Sequence, residues 1–354
     1  MVSDKEIDMA LKRIDWIDVA KGITILLVIA AHSTLEETKN VIFSFHMPLF
    51  FILSCVTFKL SESREEFLKK TEKAFTHLIV TAAVVFLINS LISGIIYFSK
   101  MPSVNMNSIN AYLANMIRVF VGASGVPIWV GEAKIPGIGI PWFFFALFGG
   151  RTLFDYLHLK LSKKAFYISI VVCTVIGVWL GKIQWLPFSF DIALAIQPFF
   201  LFGKWLKSYD LEKKALKVSL ISFVVWAALY NLVWLWKHEY LELAPRKYAA
   251  YLYPVCIICA IAGTMLVSGF SQIISKLRIT APIKYLGRNS LYLLCIHYLD
   301  EQYKSLYKVT SNDYINMLIR IGIDLIVFVL LMLVIKGIKA LAAKRKSKKV
   351  LTVT

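Results

Sequence analysis

The sequence predicts an all-α polytopic membrane protein with about ten transmembrane helices and both termini in the cytoplasm. Three observations carry this. The 354 residues are 58% hydrophobic, above the roughly half-apolar usage of soluble domains. Apolar runs begin near Trp16, Val41, Phe75, Pro141, Ala165, Leu186, Val218, Tyr248, Ile283 and Leu318, and a bilayer-crossing helix needs roughly 20 mostly apolar residues. Finally, the cations alternate. With the N-terminus placed inside, 29 of the 40 Lys and Arg residues fall on the inner side and 11 outside, as the positive-inside rule requires. The net charge of +18 then reads as topology, and no nucleic-acid partner is expected. Residues 1–354 read as one integral-membrane domain without repeats or linkers. Residues 1–15 form a cytoplasmic segment, and residues 344–354 a basic tail suited to anionic headgroups. No cleavable signal peptide is expected, because acids interrupt the basic start and no small-residue cleavage site follows the first apolar run.

The first span contains "KGITILLVIAAH", residues 21–32. A helix turns about 100° per residue, so eleven steps bring His32 to within about 20° of Lys21. The rise of about 1.5 Å per residue separates the two by roughly 16 Å. Lys21 thus lies in the cytoplasmic half and His32 near the outer end. Plainer readings stand beside a functional one. Lys21 can snorkel to headgroups or pair with Asp18, and His32 can be an interfacial imidazole satisfied by Ser33 or water. The second span opens "SFHMPLFFILS" after the short outer loop "TLEETKN", which returns His46 to the surface where His32 ends. Pro48 suits a first helical turn. The third span follows a basic stretch that includes Lys73. Residues 101–140 form the one long connection, and "INAYLANMIRVFVG" within it has the pattern of an interfacial amphipathic helix.

The fourth span opens "IPWFFFALF", which places Trp142 and Phe143 at the outer face as an aromatic belt or as pocket lining. Cys173 lies in the fifth span and the "CIIC" of Cys256 and Cys259 in the eighth. No partner ligands lie nearby, so these read as inert buried thiols, and no metal site is expected. The sixth span, "SFDIALAIQPFFLFGKW", carries Asp191, Gln197 and Pro198. A broken helix at membrane depth needs protein or a cavity to satisfy it, so structural kink and site lining are equally open. The ninth, "PIKYLGRNSLYLLCIHYLD", puts Arg288 inward and His297 outward. As one helix it would place Ser290 and His297, seven apart, on one face, with Arg288 opposite His297. Arg288 too can simply snorkel. His77, His158 and His238 carry no assigned chemistry.

Ionisable residues inside a membrane are costly and mark pathways or sites. A neutral imidazole is a suitable base for a hydroxyl, and a buried cation suits a phosphate. Imidazoles outside and cations inside suggest a two-sided reaction, with an anionic donor entering from the cytoplasm and a hydroxyl acceptor used outside.

Five stretches taken in order, "WIDVAKGITILLVIAAHS", "FSFHMPLFFILS", "PWFFFALF", "FDIALAIQPFFLFGKW" and "YLGRNSLYLLCIH", resemble the membrane acyltransferase-3 family. The similarity is nearest to its fucose 4-O-acetylase-like, polysaccharide O-acetyltransferase branch. The resemblance implies ten or so helices and multi-pass residence in the plasma or inner membrane. It also implies acetyl-CoA as a co-substrate rather than a tightly bound cofactor, and O-acetylation of a cell-surface or lipid-linked sugar. The family's basic-x10-His pattern falls on Lys21 and His32, its "FHMPLFF" histidine on His46, and its "WF" pair on Trp142 and Phe143. On this reading Lys21, Arg288 and Lys73 bind the donor. His32 is the general base or a transient acyl carrier, and His46 orients it or polarises the thioester carbonyl. Trp142, Phe143, Asp191, Gln197, Ser290 and His297 line the acceptor pocket. Two departures stand out: Cys55 replaces the usual Gly after "FFILS", and "KKTEKAFTHLIV" lacks the family's Arg-x2-Arg pair. No esterase domain is appended, so the membrane part is expected to complete the transfer itself. A transporter or flippase of a lipid-linked sugar also fits the kinked spans and polar interior, although no repeat is evident. An assembly protein without chemistry would tolerate substitution at both His32 and His46.

Overall fold

The computed structural model describes residues 14–33, 36–125, 127–130, 132–183, 186–237 and 250–351. The start of the cytoplasmic segment, residues 1–13, together with His238 and the tail's residues 352–354, lies outside them. Helices dominate. The one sheet among the described residues is an antiparallel hairpin of β1 (Ile128–Val130) and β2 (Ala133–Ile135).

Helix α1 (Asp15–Ala31) contains no proline and ends at His32. A short α2 (Glu36–Phe43) leads to α3 (His46–Thr57). At the start of α4 (Arg64–Ala74), the Glu66 N–H donates to Ser63 Oγ at 3.2 Å, and the Glu66 carboxylate accepts from the Glu62 N–H at 2.9 Å. This variant of the capping box satisfies donors the first turn would otherwise leave open. The helix continues through a π-turn, Phe75–Val80, into α5 (Thr81–Ser99). The stretch read as amphipathic is α6 (Met106–Gly122), opened by an Asn105–Ser108 capping box. It is fastened to α5 by the Tyr112 hydroxyl, which donates to Ser90 O at 2.6 Å.

Then come α7 (Trp142–Lys160), α8 (Lys163–Ile183), α9 (Phe190–Ala195), α10 (Gln197–Leu206), α11 (Leu211–Lys237) and α12 (Tyr253–Ile274). The chain closes with α13 (Ala281–Arg288), α14 (Ser290–Leu299), a 3₁₀ segment Asp300–Leu306 and the long α15 (Asp313–Leu351). Phe51 of α3 packs on Phe143 of α7 at 5.3 Å and on Phe200 of α10 at 6.0 Å, centroid to centroid. These aromatic contacts join three helices around the core.

Six described helical segments are long and apolar enough to cross a membrane: Thr38–Thr57, Arg64–Ser99, Lys163–Lys182, Leu211–Leu235, Tyr253–Ile274 and Asp313–Leu341. Four of the ten expected spans are not among them. α1 has 17 residues, and α7 ends in a polar stretch. The sixth span divides at Ile196 (φ −83°, ψ 2°), just before Gln197 and Pro198, and the ninth divides at Asn289 (φ −117°, ψ 21°). Arg288 and His297 therefore do not share one continuous helix, and the angle expected between them does not apply.

The apolar segments differ in where they sit. The Thr38–Thr57 segment is 78% buried in its most apolar window, but Leu211–Leu235 only 11%. The first is central, and the second presents Leu220, Val224 and Leu235 outward. α15 does the same with Leu330, Leu333 and Val334. Outward apolar faces of this extent, on helices that satisfy their own backbone, are those of a membrane protein.

Two glycines set the placement of α1. A Cβ on Gly22 would stand 2.1 Å from Ile283 O, and one on Gly287 would stand 1.8 Å from Asp18 O. The α1 and α13 backbones therefore touch, as small residues allow in membranes. Gly287→Ala is expected to destabilise the protein by about 1–3 kcal/mol through overpacking. Gly322→Ala, with nothing within 4 Å of the new Cβ, is expected to be neutral. Thermal melting in detergent compares the two, and equal melting would refute the close crossing.

Candidate active site

Two cavities lie end to end in the helical core. One, of about 320 Å³, is bordered by His32, His46, Trp142, Tyr298, His297 and Arg320. The other, of about 250 Å³, is bordered by Lys21, His77, Arg151, Arg288, Ser54 and Ser290. Val28, Met47, Phe143 and Leu294 border both. These four side chains form an apolar collar between an imidazole chamber and a basic chamber. Lys21, Ile25, Val28 and His32 run along one stripe of α1 from the basic chamber to the imidazole chamber, as their 3.6-residue spacing dictates.

His32 stands at the last turn of α1 and is exposed to its chamber. Its Nδ1 lies 2.8 Å from Val28 O. A carbonyl can only accept, so Nδ1 carries the hydrogen and Nε2 is left with the lone pair. His46 is held in the same way, with Nδ1 3.1 Å from Ile42 O. Phe43 contacts both rings, at 5.5 Å from His32 and 4.6 Å from His46. No hydrogen bond joins the two histidines among the described residues. The imidazole neighbour of His32 is instead His297, with ring centroids 5.0 Å apart in a T-shaped contact.

His297 belongs to a buried polar cluster. Its Nδ1 is 2.8 Å from Asp300 Oδ2 and 3.5 Å from Asp324 Oδ2. Arg320 donates from Nε to Asp300 Oδ2 at 2.6 Å. Its Nη1 reaches His32 O at 3.0 Å and Ser33 Oγ at 2.9 Å. Arg320 thus binds the C-terminal end of α1, where a cation complements the open carbonyls. The Tyr303 hydroxyl donates to Asp324 Oδ1 at 3.1 Å. His297, Asp300 and Asp324 bring ligand-type atoms within 4.8 Å of one another, but the guanidinium of Arg320 already supplies a counter-charge, which argues against a metal ion there.

Across the imidazole chamber, Gln302 Nε2 donates to Asn89 Oδ1 at 2.8 Å and Asn89 Nδ2 to the Tyr298 hydroxyl at 3.2 Å. This makes a wall of amides and hydroxyl.

The basic chamber gathers Lys21, Arg151, Arg288 and His77. Arg288 Nε pairs with Asp18 Oδ2 at 2.9 Å. Lys284 Nζ pairs with Asp15 at 2.6 Å. Arg151 lies over the Phe58 ring at 4.9 Å and has no ion-pair partner among the described residues. Neither Arg151 nor His77 was singled out in the sequence. Arg151 follows the Gly–Gly of α7, and His77 lies within the π-turn.

Several expected site residues stand elsewhere. Lys73 is exposed on α4, in a shallow surface groove with Glu66 and Lys70 rather than in the basic chamber. Asp191 and Gln197 are buried but border neither chamber. Gln197 Nε2 donates to Gly150 O at 3.1 Å and Ala193 O at 2.7 Å, serving carbonyls beside the helix break. Asp191 Oδ1 accepts from the Leu186 N–H at 3.5 Å. Both side chains thus bond backbone groups, while Gln197 Oε1 is buried without a hydrogen-bond partner. Trp142, Phe143, Ser290 and His297 do border the cavities, Ser290 on the basic side.

No curated protein and no solved structure matches the chain. A family model does: the acyltransferase domain of the acyltransferase-3 type matches residues 14–343, from the first turn of α1 into the end of α15. With imidazoles and cations meeting inside a membrane-embedded helical core, the chain belongs to the membrane acyltransferase-3 family and is a membrane acyltransferase.

Proposed function

We propose that the protein moves an acetyl group from cytoplasmic acetyl-CoA to a hydroxyl of a cell-surface or lipid-linked sugar in the plasma or inner membrane. The observation that supports this reading best is the pair of chambers meeting at one apolar collar. In this reading both termini are cytoplasmic, ten membrane crossings include the broken sixth and ninth, and the basic chamber faces inward. Lys21, Arg151, His77 and Arg288 attract the donor's phosphates, while its narrow pantetheine arm passes the collar. The rise along α1 between Lys21 and His32, roughly 16 Å, is a span such an arm can bridge. In the imidazole chamber the acceptor stacks on Trp142 and bonds Asn89, Tyr298 and Gln302. His32 Nε2 takes the hydroxyl proton, and the hydroxyl oxygen attacks the thioester carbonyl. The tetrahedral intermediate expels the thiolate, which receives the proton from His32. His46, whose Nδ1 hydrogen faces Ile42 O, presents its Nε2 lone pair to the same chamber and orients the acceptor.

The test is incubation of the reconstituted protein with radiolabelled acetyl-CoA and candidate lipid-linked or polymeric glycans. Acceptor-dependent release of free CoA with label in the glycan is expected. Acceptor transport across vesicles without any CoA release would replace this reading with the transporter one. Arg151→Ala is expected to raise KM for acetyl-CoA by roughly 10- to 100-fold, as loss of a charged phosphate contact implies, with kcat little changed. An unaltered KM would remove Arg151 from the donor site.

A further inference from the structure

We infer that His297 is the charged member of an imidazole pair, an imidazolium held by Asp300 and Asp324 whose positive charge keeps His32 neutral and favours the negative tetrahedral intermediate. The inference rests on the acyl-transfer reading of the same chamber and deepens it.

Asp300 and Asp324 are fully buried, and so is Arg320 at 3% exposure. Two carboxylates and one guanidinium leave one negative charge uncompensated in an interior where unpaired charge is strongly disfavoured. His297, itself fully buried, hydrogen-bonds Asp300 through Nδ1 at 2.8 Å and has Asp324 Oδ2 3.5 Å from the same nitrogen. A proton there balances the cluster. Glu301 also reaches Arg320, at 3.2 Å, but is half exposed and solvated.

The second step is the contrast between the two rings. His32 meets no carboxylate. Its Nδ1 faces a backbone carbonyl, and its own carbonyl oxygen is held by Arg320. Two rings 5.0 Å apart do not both take a proton readily, since like charges at that distance oppose each other. The carboxylates decide which one does. Pairs of titratable groups pushed apart by their surroundings mark an acid and a base.

Third, His297 Nε2 is buried and has no hydrogen-bond partner, although the ring borders the chamber. A purely structural imidazole would be expected to use both nitrogens. The titratable and charged groups facing the pair from the described elements packed on it are Tyr298 of α14, Asp300, Glu301, Tyr303 and Tyr307 from the 3₁₀ segment and its end, Arg320 and Asp324 from α15, and His46 across Phe43. During transfer the acceptor O–H proton goes to His32 Nε2, the new C–O bond forms and the carbonyl electrons move onto oxygen. That oxyanion lies in the field of His297. When the C–S bond breaks, the electron pair leaves on sulfur and the His32 proton follows it, so His297 ends as it began.

The experiment is a pH profile of kcat/KM in the reconstituted full-length protein for wild type, His297→Gln, Asp324→Asn and His32→Ala. His297→Gln keeps a donor toward Asp300 but removes the charge. Asp324→Asn weakens the hold on the proton. His297→Gln is expected to move the acid limb upward by about one pH unit or more, because His32 then protonates more easily beside an uncompensated carboxylate, and to lower the plateau. Asp324→Asn removes a negative charge along with the hold on the proton, so its limb is expected to move less. A structural role would reduce the amount of folded protein and leave the limb in place. If His297→Gln does not fold, the limb of His297→Asn decides. An unshifted limb in the variants that fold, with His32→Ala inactive, overturns this inference alone. Full activity of His32→Ala overturns the assignment of the base on which it rests.

Discussion

Replacement of His32 by alanine is expected to lower acetyl transfer by roughly 10²- to 10⁴-fold, the range that loss of a general base covers. Abundance in the membrane is expected to be unchanged. The ring borders an existing cavity, so its removal widens that space rather than opening a void in packed core. The backbone anchor also survives, because Arg320 grips the carbonyl of residue 32 and Ser33, not the imidazole. Acetylated glycan measured per unit of folded protein separates chemistry from yield. Wild-type rates in this variant would take His32 out of the reaction. Retention of label on the wild-type protein without acceptor would favour the acyl-carrier route over direct attack.

The second large effect concerns stability. Arg320→Met is expected to destabilise the protein by about 3–5 kcal/mol, the usual consequence of stranding a buried charge. Arg320 binds Asp300 through two of its nitrogens and ties α15 to the end of α1. Its loss therefore unbalances the carboxylates and frees the end of the helix that carries His32. The double variant Arg320→Met/Asp300→Asn is expected to regain most of the melting temperature, since the unpaired charge is then gone, yet not the activity. Thermal melting of both in detergent is the measurement. Equal melting of the single and double variants would show that charge pairing is not what Arg320 supplies.

The residues most legible in the sequence were those that break an apolar run. Lys21, His32, His46 and His297 were each out of place in a hydrophobic span, and each borders one of the two chambers. The same signature misled at Asp191 and Gln197. A polar group inside a span can serve a ligand or a broken backbone, and composition does not separate the two. Gln197 bonds two carbonyls beside the break, a need visible only once the break is located. Arg320 and Asp324, four apart in the last span, carried a readable sign of a polar face. Their partners Asp300 and His297 lie in a different helix and a 3₁₀ segment, so sequence proximity did not gather them. Arg151 and His77 reach the basic chamber through a packed helix and a π-turn, and periodicity reasoning assumes neither. The helical fold was legible from hydropathy. The break at Ile196 was legible from Pro198, whereas the one at Asn289 was not, because the polar run Arg288–Asn289–Ser290 also fits the cytoplasmic end of one continuous helix.

The collar of Val28, Met47, Phe143 and Leu294 bears on the electrical integrity of the membrane. An enzyme that opens one chamber to each side places two hydrated cavities nose to nose. A continuous water thread between them would conduct protons and small ions and drain the cell's gradients. Four apolar side chains at the junction make dehydration of an ion costly there, while a slim, uncharged chain can slip between them. On the proposed reading, the same collar that admits the working end of a long substrate acts as an insulating gasket.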